Sequence, residues 1–342
     1  RDVAAFWAGG ALDPESNVQF GEGGAGAFSD GKLNTGIKDP RCAFILHTLC
    51  ECGAPEEILC EAKPHVGTDK LPGAVRALRE KIIALGGEVR FGHRLESLEI
   101  SGGRLEGARV AAPAGAYDLP ARTIVLAVGH SARDTFEALH RHGIAMERKP
   151  FSIGARVEHL QADIDLRQYG AFAGHPALGA ADYKLSCRLP DGRGAYTFCM
   201  CPGGLVVAAA SEIGGTVTNG MSAFARDGKN ANAALLVDVR AEDFPGDDPL
   251  AGMRFQRLWE RRAFSAGGES YRAVTQRMDD FLHARPSRVP GDVEPTYRPG
   301  AVYGDLADCL PPFAVEGMRS AVRVFDRQLA GFARPGAVLT GV

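Results

Sequence analysis

Five glycines fall within the eleven residues from Gly21 to Gly31, and Lys32 follows them directly. Glycine reaches left-handed backbone conformations and lets a ligand approach the chain closely. Backbone N–H groups in such a segment can cradle a phosphate or the edge of a flavin ring. Ser29, Asp30 and Lys32 add a hydroxyl, a carboxylate and an ammonium. The stretch Gly21-Glu22-Gly23-Gly24-Ala25-Gly26 also spells G-x-G-x-x-G, the dinucleotide-binding fingerprint. That fingerprint needs a buried strand before it and a helix after it. Asp13 to Phe20 are instead turn-forming and largely polar, and Gly31 and Gly36 downstream are poor helix formers. The spelling is therefore not a first Rossmann turn. On the residues alone, a ligand-lining loop and a plain surface loop stay equally open.

Cysteine is the second source of chemistry. Cys42, Cys50, Cys52 and Cys60 fall in one short stretch, but no C-x-x-C pair is among them, and a zinc ribbon needs two. No metal is expected, and these cysteines read as small hydrophobes in or beside a helix. Cys199 and Cys201 form a C-x-C pair that could exchange electrons with a redox partner. On a regular strand two such residues share a face, and a disulfide between them is strained. The burial habit of free cysteine favours two packed side chains there. Thr218 to Ser222 and Arg226 form a polar cluster around Gly220, readable as a pocket-lining turn or a plain hairpin. His65 and His130 lie near glycine turns and have the titration range for acid–base work, but a lone histidine beside glycine is more often structural, so no catalytic residue is assigned.

The elements that must position these groups change character near residue 150. Leu71, Ala74, Val75, Leu78, Ile82 and Leu85 recur at helical spacing, with Thr68 or Asp69 as cap and Gly86-Gly87 as stop. A strand is expected from Glu88 to Phe91. Leu95 to Ile100 and Leu105 to Ala111 read as a hairpin around Ser101-Gly102-Gly103. Thr123 to Val128 is an apolar, β-branched run suited to a strand covered on both faces, as in a parallel sheet. A helix capped by Ser131 should follow, ending at Gly143. Beyond Phe151 come extended segments with a turn at Pro190-Asp191-Gly192, strands near 216–222 and 233–239, and a helix from Asp248 to Gly267-Gly268. A further helix runs from about Pro312 to Gly331. The expected architecture is α/β plus α+β. Residues 1–150 form a partial Rossmann-like domain with a β-meander, 151–310 an inserted, largely antiparallel domain, and 311–342 a return segment.

The 342 residues suffice for two domains, and 45% hydrophobic with 24% charged residues is ordinary for a globular protein. A net charge of -3 without basic runs gives no support for a nucleic-acid partner. The longest apolar stretches are too short to span a bilayer, so no membrane partner is expected. No signal-peptide pattern follows Arg1, which points to a cytoplasmic chain with reduced thiols. Arg1 at the start and a strand-like Ala337 to Val342 at the end read as an internal fragment.

Gly23-Gly24-Ala25-Gly26-Ala27-Phe28-Ser29-Asp30-Gly31-Lys32-Leu33 resembles the second flavin-contact motif of an uncharacterised bacterial family of FAD-dependent dehydrogenases. That family belongs to the NAD(P)/FAD-dependent oxidoreductases with two dinucleotide-binding domains. The resemblance extends to Pro14–Phe20, Gly53–Leu59, Lys63–Thr68, Ala127–Asp134, Gly179–Lys184, Phe198–Gly204 and Gly291–Pro295, and so spans essentially the whole chain. It implies FAD as cofactor. Gly23, Gly24, Ala25, Gly26, Phe28, Ser29, Asp30 and Lys32 would line the flavin and pyrophosphate. The strand at Leu95 would offer backbone to the adenine, and the turn of Ala127, Gly129 and His130 would pack against the nucleotide. The first βαβ unit would lie before Arg1, and a late glycine motif after Val342. The implied activity is oxidation or reduction of an unidentified small molecule, with NAD(P)H as electron donor. The alternative is a flavin-binding scaffold or sensor without turnover, since no acid–base constellation stands out.

Overall fold

The computed structural model describes residues 1–342. In chain order its first elements are α1 (Asp2–Trp7), α2 (Arg41–Glu51), α3 (Leu71–Ala84), β1 (Arg94–Ser101), β2 (Arg104–Ala111), β3 (Tyr117–Pro120) and α4 (Arg133–Arg141). There follow β4 (Phe151–Leu160), α5 (Gln161–Tyr169), β5 (Ser186–Arg188), β6 (Gly194–Cys201), β7 (Leu205–Ala208), β8 (Thr218–Met221) and β9 (Asn230–Val239). The last are α6 (Ala251–Ala266), β10 (Ala273–Arg277), α7 (Met278–Leu282), β11 (Ala301–Tyr303), α8 (Pro312–Gln328) and β12 (Val338–Gly341). The chain divides into two compact units, one of residues 1–78, 150–240 and 256–342, the other of residues 79–149 and 241–255.

The larger unit is built on a seven-stranded mixed sheet of order β11-β10-β12-β4-β9-β6-β5, antiparallel at every pairing except β10–β11. Its centre is the long β4–β9 ladder, in register from Phe151 opposite Val239 to Leu160 opposite Asn230. Ala155, Val157, Ala231, Ala233, Leu235 and Val237 there are buried. Helix α8 turns Ala314, Met318, Ala321, Val322 and Phe325 inward, the three- and four-residue spacing of one helical face. A separate two-stranded ribbon pairs β7 with β8. The turn at Pro190 to Gly192 joins β5 to β6 as the sequence predicts, with Gly192 at φ 79°.

In the smaller unit β1, β2 and β3 form the expected antiparallel meander, Leu95 facing Val110 across the first pairing. Three expectations fail there. Thr123 to Val128 forms no strand and pairs with no other segment of the chain; Val125 is 85% exposed. Glu88 to Phe91 likewise forms no strand. Helix α4 has Ala132 rather than Ser131 at its N-cap, and no side chain caps it. Residues 1–150 thus contain the meander but no parallel ladder of a Rossmann-like domain, since a parallel strand forms only beside a partner.

Backbone contact is closest at Gly154 in β4, where an added Cβ would fall 1.8 Å from the carbonyl oxygen of Leu235 on β9. Gly154→Ala should therefore push the two central strands apart and destabilise the protein by about 1–3 kcal/mol, read as a lower urea midpoint. An unchanged midpoint would show that the ladder yields freely.

Candidate functional site

The glycine-rich segment folds as a short 3₁₀ turn, Gly24–Phe28, entered through Gly23 and Gly24 at φ 86° and 51°. Neither a strand nor an α-helix flanks it. Ser29 Oγ donates to Gly26 O at 2.7 Å and accepts from Gly31 N at 2.9 Å, closing the turn on itself. Asp30 then points inward and is fully buried. Its carboxylate accepts from Ser222 Oγ (2.7 Å) and from Arg226 (3.0 and 2.5 Å), and pairs with Lys32 Nζ at 2.6 Å. Burial pushes the Asp30 carboxyl up, but the hydrogen bonds and charges of Arg226 and Lys32 together outweigh it and hold its pKa below the usual carboxylate value.

The Lys63–Thr68 motif secures the other side of this segment. Lys32 bridges antiparallel to His65, Gly67 N donates to Asp30 O, and Thr68 Oγ1 donates to Ala27 O. Gly67, at φ 81°, lies so close to Phe224 that an added Cβ would sit 2.3 Å from its backbone nitrogen. His65 Nε2 lies 3.1 Å from Phe224 O with its ring stacked on Phe224, and its Nδ1 is 3.7 Å from Glu61 Oε2. Asn219 of the polar cluster donates to Phe28 O.

Lys32 also donates to Met200 O, which brings the C-x-C pair to the same place. The pair is not on a regular strand. A bulge interrupts the β6–β9 register between Phe198 and Cys201, and Cys199 has φ 44°. Cys201 is fully buried whereas Cys199 is partly exposed, so the reading of two packed core residues holds for Cys201 alone. Arg156 of β4 approaches from the sheet interior. It is 4% exposed, reaches Cys199 O at 3.1 Å and Cys201 Sγ at 3.7 Å, and donates to Asn232 Oδ1. Gly220 makes room for its guanidinium: an added Cβ would stand 1.9 Å from it. Arg156 was missed in the sequence, where its one signal is a cation in the apolar run Phe151 to Leu160.

Asp30, Lys32, the 63–68 motif, the polar cluster at 218–226 and the C-x-C pair, read separately from sequence, thus converge within the larger unit. Leu95, Ala127, Gly129 and His130 belong to the smaller unit. There Leu95 is half-buried in β1, while Ala127, Gly129 and His130 lie on exposed coil, His130 Nε2 at 3.3 Å from Ser131 Oγ. Cys42, Cys50, Cys52 and Cys60 do not converge; the thiols of Cys50 and Cys60 donate to nearby carbonyls. No helix is long and apolar enough to cross a membrane.

Two concavities lie in the same unit. One, of about 290 Å³, lies beside the glycine turn, walled by Trp7, Phe20, Gly21, Gly24 and Phe28. The other, of about 560 Å³, is lined by Lys229, Gly291, Asp292, Glu294, Arg298 and Tyr303.

Residues 150–342 match the family described as FAD-dependent protein, C-terminal domain-like. The chain belongs to that family. An uncharacterised protein of Clostridium beijerinckii is 50% identical over 341 residues, covering 99% of this chain and 63% of its own length. The chain therefore spans under two thirds of the relative it matches. Among solved structures, a triple mutant of the flavin-dependent brominase Bmp2 aligns over 80% of this chain and 58% of its own at 14% identity, with a TM-score of 0.28. That superposition is too loose to carry an inference. The local geometry fits part of the family's cofactor: left-handed glycines open backbone to the aromatic-walled cleft, whose volume is at the lower end for ligand pockets and suits a flat ring better than a whole dinucleotide.

Asp30→Asn should leave Arg226 and Lys32 facing an uncharged amide and destabilise the larger unit by about 3–5 kcal/mol. Because the folded-state pKa of Asp30 is depressed, its contribution is present above the unfolded value of 3.8 and is lost as pH falls below it. The wild type should accordingly lose more stability than Asp30→Asn on acidification through that range. Parallel pH–stability curves for the two proteins would contradict the assignment.

Proposed function

We infer that the chain is part of an FAD-dependent oxidoreductase acting on a small molecule, in which the Gly23–Lys32 segment lines the isoalloxazine and pyrophosphate. The observation that carries this reading is the glycine turn anchored by Asp30 in a member of an FAD-dependent family. FAD, when bound, supplies the acceptor for hydride or electrons. The chain's own part is to position it. Gly24, at the cleft wall, would present backbone to the ring edge, with Gly23 setting the turn behind it. Trp7, Phe20 and Phe28 exclude water from one side. Lys32, held between Asp30 and Met200, would contribute positive charge at the far end of the segment. We further assign Leu95, Ala127, Gly129 and His130 to the nucleotide half, the domain limits to 1–150, 151–310 and 311–342, and the electron donor to NAD(P)H. The remaining FAD contacts are placed in parts of the longer protein outside these residues, in keeping with the 63% span of the relative.

The longer protein should purify yellow or take up FAD when reconstituted. The 342 residues alone should quench added FAD only at ligand concentrations above about 1 µM. A colourless longer protein that cannot be reconstituted overturns the cofactor assignment, and tight binding by these residues alone overturns the division of the site. Anaerobic bleaching by NADH or NADPH supports the donor; failure with both removes it.

A further inference from the structure

The cation Arg156 poses an unusual electrostatic problem. Its hydrogen-bonding partners are Asn232, a backbone carbonyl and a thiol, with no carboxylate among them. Glu158, two residues along β4, is itself engaged by Asn230 and Thr296. A guanidinium taken out of water without a bonded anion is strongly unfavourable. The groups acting on the Cys199 sulfur are Lys32 and Arg156 as cations, Asp30 as the one carboxylate, and the Cys201 thiol as hydrogen-bond donor. Positive charge is therefore in excess at that sulfur, and a thiolate there would balance it.

Position divides the two cysteines. Cys199 sits at the crest of the bulge with part of its surface open, beside Phe198, which is 60% exposed. Cys201 is sealed beneath it, its thiol donating to Cys199 O at 3.3 Å. The objection that a C-x-C pair on a strand is badly placed for bridging assumes regular pleating, which the bulge and the positive φ remove. The hydrogen bond from Cys201 lowers the Cys199 pKa most; burial opposes it, and Lys32 and Arg156 add to it, bringing Cys199 to about 6. Cys201, which gives that hydrogen bond and is fully enclosed, is held protonated well above its ordinary value.

We propose that Cys199 and Cys201 form a thiol–disulfide exchange site, with Cys199 as the attacking thiolate, Cys201 as the resolving thiol, and a disulfide as the co-substrate. The Cys199 thiolate attacks one sulfur of R–S–S–R. The Cys199–SR bond forms, the S–S bond breaks, and RS⁻ leaves. Cys201 gives its proton to the departing thiolate and attacks Cys199 Sγ, expelling a second RS⁻ and closing the intramolecular disulfide. The dithiol is oxidised by two electrons and the co-substrate is reduced to one thiol and one thiolate. An accessible thiol with pKa near ambient pH is the favoured attacker in such exchange. The site shares Lys32 with the proposed FAD segment, but the exchange step itself involves no flavin.

The test uses the intact chain with DTNB, an aromatic disulfide, followed by tryptic mapping of the peptide of residues 194–226. At pH 6.5 the wild type should show a fast phase and yield that peptide about 2 Da lighter, unlabelled, through loss of two thiol hydrogens. Cys201→Ser should instead retain a stable mixed disulfide on Cys199, and Cys199→Ser should lose the fast phase. The rate of Cys199 alkylation by iodoacetamide in the wild type should rise with pH about a midpoint near 6, and Lys32→Met should move it upward. Two results would overturn the proposal without reliance on any variant's folding. One is a wild-type alkylation midpoint at the free-thiol value of about 8.5. The other is a 194–226 peptide that DTNB leaves without an internal disulfide.

Discussion

A single buried carboxylate holds the candidate site together. Asp30 has no exposed surface, yet it is met by a hydroxyl and a guanidinium more than 190 residues away in the chain. A poorly paired charge in that position would be costly, so the observed path of the segment ending at Lys32 is stabilised by Ser222 and Arg226 as well as by Lys32 itself. The ribbon of β7 and β8, the turn after it and the glycine turn are thus parts of one cooperative arrangement. The backbone bonds from Val66 and Gly67 to Gly31 and Asp30 extend it to the 63–68 motif.

The second polar feature has a different foundation. Arg156 projects from the central strand β4 and is received by Asn232 of β9 and by the space that Gly220 of β8 leaves open. Strands that are hydrogen-bonded along their length fix a side chain more firmly than loops do. The cation beside the C-x-C pair is therefore set by the sheet, whereas Lys32 on the opposite side is set by the clamp on Asp30. Two independent supports converge on the same sulfur, and displacement of either would change its electrostatic surroundings without dismantling the other.

Elements whose signals are local were legible in the sequence. Helices α3 and α8 carry their own apolar periodicity and terminal glycines, and the β1–β2 hairpin carries its own turn. Where formation depends on a remote partner, composition misleads. Thr123 to Val128 has the residues of a buried strand but no ladder to join. The regular strand assumed at Cys199 gives way to a bulge that only the β9 pairing reveals. At the site, glycine density and family resemblance marked the loop, and Asp30 and Lys32 were named. Their attachment to Arg226, and the presence of Arg156 behind the cysteines, arise from contacts across most of the chain that no local pattern encodes.

The run from Thr123 to Val128 has a consequence of another kind. It is rich in β-branched residues and free of charge and proline, with Thr123, Val125 and Leu126 exposed. Such a segment presents unused backbone donors and acceptors beside an apolar surface, and so can template pairing with the same segment of another molecule. A tendency of the chain to self-associate at high concentration would then trace to these six residues, and a single lysine at Val125 would oppose it.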